Sequence, residues 1–148
     1  MTSNPRDFLR GFIDIISMTA RPFLGFNYIL RIVDPVRRFG FTVVLRSNAA
    51  NDLMCGFEKL VLIMRVEPQI IYYADHTSFV SDFITHHSTI QFKSEIYSPL
   101  MKKERLLYKK QLQKWCEAYN NNWVRGVVIV QAIVNAMPLE ANVVERSL

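Results

Sequence analysis

PLMKKERLLYKKQLQKWCEAY, residues Pro99 to Tyr119, is the clearest helix in the chain and its strongest concentration of charge. Pro99 suits a first helical turn, because its fixed φ fits there and its missing N–H would have no partner anyway. Ser98 precedes it as the N-cap. At about 100° per residue, Leu100, Met101, Leu107, Tyr108, Leu112, Trp115, Cys116, Ala118 and Tyr119 share one broad side. Lys102, Lys103, Lys109, Lys110 and Lys114 fall on the other, with Arg105 at the boundary. Two residues break the pattern: Leu106 on the cationic side and Glu104 on the apolar side. The helix is expected to lay its apolar side on a core, hold its lysines in water and end at Asn120-Asn121-Asn122.

Between Leu100 and Lys114 six Lys/Arg stand against one Glu, a local excess of +5 that equals the net charge of the whole chain. The remaining twelve Lys/Arg and twelve Asp/Glu balance. A localised excess of this kind points to an anionic partner more than a uniformly basic composition would. The competing reading is a solvated face that keeps the protein in solution.

Around this helix, 148 residues predict one domain, 1–148, with 140–148 as a polar tail. A hydrophobic content of 50% with 12% aromatics excludes a disordered chain. Cys55 and Cys116 lie among apolar neighbours and form neither a metal spacing nor a disulfide framework, which predicts buried, reduced thiols and an intracellular protein, cytoplasmic or nuclear. The start carries no signal-peptide pattern. The apolar stretch from Phe8 to Val33 is interrupted by Arg10, Asp14, Arg21 and Arg31, which argues against a membrane span.

Ser3-Asn4-Pro5 reads as a helix start, and Phe8, Leu9, Phe12, Ile13, Ile15 and Ile16 line one face of a helix expected over 5–19. Phe23 to Val33 fits a second helix or an extended segment, followed by a turn at Asp34-Pro35. Phe39 to Arg46 alternates as a strand. Ser47 to Asp52 reads as a loop or cap, then Lys59–Val66 and Ile70–Tyr73 as β-rich runs parted by a turn or edge at Pro68, and Thr89–Phe92 as a short strand. Trp123 to Met137 is long enough for a buried helix but rich in β-branched residues; helix is the preferred reading, stopped by Pro138. The order predicts an α+β fold: amphipathic helices at both ends packed on a small, mainly antiparallel sheet.

All three histidines lie between residues 76 and 87. Asp75-His76 and His86-His87 contain metal-ligand types, but adjacent histidines in extended chain point to opposite faces, so no metal is assigned. His76-Thr77-Ser78-Phe79 and His87-Ser88-Thr89-Ile90 each fit His-x-Ser/Thr-apolar. The pair resembles the motif of 2H phosphoesterases, in which one His is base and the other acid. That family takes its copies from separate halves of the fold, whereas these stand eleven residues apart. Loop and cap roles are the favoured reading of these residues. Ile70 to His76 also resembles the Tyr-x-Asp-Asp turn of reverse transcriptases, with His76 where the second Asp would stand. No Gly-rich phosphate loop, nucleophile elbow or cofactor motif occurs.

The sequence therefore points first to a non-enzymatic protein that contacts nucleic acid backbone, or another acidic macromolecule, through Lys102, Lys103, Arg105, Lys109, Lys110 and Lys114. No catalytic residue, metal or cofactor is assigned. A protein-interaction or homo-oligomeric assembly module is the alternative, and a small His-dependent phosphoesterase or metal-dependent hydrolase the third.

Overall fold

The computed structural model describes residues 10–73, 89–94 and 98–139. Strands β1 (Arg10–Ser17), β2 (Tyr28–Asp34) and β3 (Phe39–Leu45) form an antiparallel meander. Helix α1 (Ala50–Met64) then crosses to β4 (Ile70–Tyr73), which joins β1 in parallel, and β5 (Gln91–Ser94) extends the sheet in parallel beyond it. Two helices complete the described chain, α2 (Pro99–Ala118) and α3 (Trp123–Ala136). The sheet order is β3-β2-β1-β4-β5, and its longer pairings are the antiparallel ones. The α+β architecture with helices flanking a mainly antiparallel sheet is the one the sequence predicts, and no described helix is long and apolar enough to cross a membrane.

The first element differs. Residues 10–17 are a strand, not part of a helix over 5–19; residues 5–9 lie outside the described ones. β1 is covered on both faces, so its apolar residues run on without the alternation of a half-buried strand, and such a run carries no period that separates strand from helix. Asp14, one of the charges that interrupt the apolar stretch, is buried and not in water. Phe23–Val33 resolves into a turn around Gly25 (φ 82°) and then β2. Lys59–Val66 is also corrected, since residues 59–64 belong to α1. The helical repeat becomes visible when it is followed from Leu53 through Phe57, Leu60 and Met64, all buried. The helix stops at Arg65, which turns left-handed (φ 60°) and returns its N–H to the Val61 carbonyl at 2.8 Å. β5 starts two residues later than the expected strand at Thr89, and of the two cysteines expected to be buried Cys116 is, whereas Cys55 is exposed on α1.

The basic helix begins where the sequence places it: the Ser98 hydroxyl accepts from the Met101 N–H at 3.1 Å, ahead of Pro99. Asn120 and Asn121 take positive φ, which turns the chain back into α3. Asn122 caps α3 by accepting from the Arg125 N–H at 3.3 Å. Trp123–Ala136 is helical, as preferred. Expected features within 74–88 and 140–148, including His76, His86, His87 and the polar tail, lie outside the described residues.

Two cores result. Leu30, Ile32, Leu53, Phe57 and Leu60 belong to the one between the sheet and α1. Ile16, Ile29, Tyr108, Leu112, Trp123 and Val130 belong to the one between the sheet and the α2–α3 hairpin. The hairpin closes tightly at Gly126, where a Cβ would stand 2.3 Å from the Trp115 indole. That indole donates to the Asn122 carbonyl at 2.7 Å, so it cannot swing away without losing a bond. Gly126→Val is expected to lower stability by about 1–3 kcal/mol through overpacking, read as a shifted denaturation midpoint at unchanged slope.

Candidate functional site

β2 is buried along almost its whole length, with Leu30 and Ile32 facing α1 and Ile29 and Arg31 facing the α2–α3 hairpin. Arg31 is therefore a cation at 0% exposure in the middle of the sheet. An unpaired charge in such a place is prohibitively unstable, and the surrounding elements supply its partners. Asp14 lies directly opposite in the β1–β2 register and accepts from Arg31 Nη1 at 2.9 Å. Arg31 Nη2 donates to the Glu104 carboxylate from α2, and Nε to Gln131 Oε1 of α3 at 3.2 Å. The guanidinium also stacks over the Tyr108 ring, 4.0 Å from its centroid.

Further members extend the network. Arg105 Nε donates to the other Asp14 oxygen at 2.8 Å. Gln131 Nε2 reaches Glu104 Oε2 at 3.3 Å and Asn135 Oδ1 at 2.9 Å. Gly40 leaves room for the Gln131 amide, which a Cβ there would meet at 2.3 Å. Two cations and two carboxylates make the cluster neutral, and it joins β1, β2, α2 and α3. The Tyr108 phenol donates to the Val127 carbonyl at 3.3 Å, and burial pushes its pKa far above the ordinary phenol value, so it stays protonated at neutral pH.

The network sets the rotation of α2. Glu104, the residue that broke the apolar side of the helix, faces inward because Arg31 is there. Its neighbours Lys103 and Arg105 are both cationic, so a slip of one residue in either direction would set a cation against the buried guanidinium. With Glu104 inward, Lys102, Lys109, Lys110 and Lys114 are exposed and Lys103 is partly so. Leu106 sits among them at 69% exposure. Arg105 stands apart from the lysines: only 30% of its side chain is exposed, and it is bound to Asp14. Tyr108 is packed in the interior and Trp115 is half-buried against it, while Tyr119 is exposed beside Trp115.

Sequence reasoning located the lysines but missed Asp14 and Arg31 as partners. Their signal was present: charges interrupting an apolar stretch, and a lone Glu on the apolar side of a helix. Each is the trace of a buried ion whose partner is remote in sequence: Asp14 and Arg31 are 17 positions apart, and Arg31 and Glu104 are 73 apart. Among the described residues no group of three or more His, Cys, Asp or Glu side chains converges on a metal site.

No family model matches the chain, and no curated protein is similar to it in sequence. Among solved structures, the catalytic core domain of BIV integrase is similar in fold, with a TM-score of 0.56 at 13% identity. The match covers 86% of this chain and 81% of that one. At that identity the likeness is one of fold.

Removing the guanidinium would leave the buried Glu104 carboxylate without its cationic partner, while Asp14 keeps Arg105. Arg31→Met is expected to cost about 3–5 kcal/mol of stability, against under about 0.5 kcal/mol for Lys109→Met on the exposed face, both measured by chemical denaturation.

Proposed function

We propose that this chain binds nucleic acid, with Lys102, Lys103, Lys109, Lys110 and Lys114 of α2 contacting the phosphate backbone. The observation that carries this reading is the division of charge on α2: its first-half carboxylate, Glu104, is turned inward and neutralised, while its lysines face out together. The outward face thus concentrates the charge excess of the chain instead of cancelling it. A fold shared with an integrase catalytic core supports a nucleic-acid-related role. Arg105, already bound to Asp14, is left to the scaffold. Lysine contacts to phosphate position a strand without reading its bases, so binding is expected to be salt-sensitive and to tolerate changes of sequence. Lys102→Glu, Lys109→Glu and Lys110→Glu combined are expected to abolish binding to short oligonucleotides at low salt, with melting unchanged. Single reversals should each weaken binding and flatten its salt dependence, by about 0.7 in log–log slope per lost contact to a single strand. Retained affinity in the triple variant would remove the proposal.

A second reading, assembly through an apolar surface, is favoured by the outer side of α3. Val128, Ile129 and Ile133 are 62%, 46% and 43% exposed there, and Ile63 of α1 lines the same groove as Val128. Scattered exposed apolar residues are ordinary, but contiguous ones mark interfaces. Sedimentation over a wide concentration range separates the readings. Self-association lost in Val128→Asp would establish assembly, and a monomer at every concentration would exclude it.

A further inference from the structure

The end of β1 and the second half of α2 enclose a groove of about 250 Å³. Its floor is apolar: Ile16, Met18 and Leu112, all buried. One cation stands on each wall, Arg21 from the segment after β1 and Lys109 from α2, and both are exposed. Gln113 supplies a polar edge on the helix side. The volume lies below the range of roughly 300–1,000 Å³ that holds a drug-sized ligand, which suits a single ring system.

An apolar centre between two cations selects an occupant that is flat and apolar in the middle and anionic on both sides. One nucleotide of a single strand has this form: a base flanked by a phosphate before it and one after it. Met18 adds a polarisable sulfur, which makes favourable contacts with aromatic rings. Lys109 belongs both to the groove and to the lysine face, so a strand following α2 passes the opening. A duplex keeps its bases stacked inside and cannot fill the groove without unpairing.

We infer that this groove receives an unpaired base of a bound single strand, with Arg21 and Lys109 on the adjacent phosphates. The inference rests on α2 being a phosphate-binding helix, and it adds that the partner is single-stranded.

The test is fluorescence anisotropy at low salt with three labelled oligodeoxynucleotides of equal length. One is single-stranded, one has the same backbone with abasic sites in place of nucleotides, and one is a duplex. The intact single strand is expected to bind about fivefold to a hundredfold more tightly than the abasic strand, the range of one stacked base. Ser17→Trp and Ala20→Trp, which place an indole at exposed positions lining the groove, should erase that difference and leave binding of the abasic strand intact. The abasic strand thereby reports that the variants are folded and that the lysine face works. Equal binding of intact and abasic strands overturns the inference and leaves the phosphate reading standing. A duplex bound as tightly as the single strand, or a base-dependent gain that survives both groove-filling variants, also overturns it. Absence of binding by all three probes removes both readings.

Discussion

A guanidinium held out of water between two carboxylates from different elements is the constraint on which the rest of this structure depends. Arg31 sits at the centre of a fully covered strand, where transfer from water is so unfavourable that its donors must be met by charged or polar partners. Asp14 meets it across the sheet, Glu104 from α2 and Gln131 from α3, while Tyr108 covers the flat face of the group. Hydrogen bonds have directions that apolar contacts lack, so these partners fix where the helices sit against the sheet and how they are turned.

The two sides of the sheet are consequently built on different principles. The α1 side is an ordinary apolar core in which Leu53, Phe57 and Leu60 pack on Leu30 and Ile32. Such a surface is tolerant of small adjustments, because dispersion has little angular preference. The α2–α3 side combines an apolar core with the ion network, and its neutral balance of two cations against two carboxylates leaves no uncompensated charge in the interior. The Gln131 amide occupies the space above Gly40, so a side chain at this position of β3 would have to displace it.

The outer surface inherits its character from that interior. Glu104 is drawn inward by Arg31, and the cationic residues on either side of it make neighbouring rotations of α2 unfavourable. Once the rotation is set, the lysines have nowhere to go but outward, and the cation excess of the chain collects on one helix face. A cationic surface and a buried ion cluster are thus two aspects of one helix. The same geometry puts Lys109 at the edge of the groove that ends at β1, next to an apolar floor.

The sequence alone determined the elements whose signals are local. Ser98-Pro99 set the start of α2, Asn120–Asn122 its end, the alternation over 39–45 gave β3, and the +5 excess marked the cationic face. Helix and strand signals of this kind depend on neighbours a few residues apart. Only the tertiary structure decided that Arg10–Ser17 is a strand, because a segment buried on both faces loses its period and its Asp14 takes its meaning from Arg31 on the next strand. Only the tertiary structure turned Glu104 from an irregularity into a pin, and Arg105 from a surface cation into a partner of Asp14. The reason is physical: a buried charge is stabilised by whatever the fold brings within hydrogen-bonding distance, and in this chain those groups are supplied by strands and helices far apart in sequence.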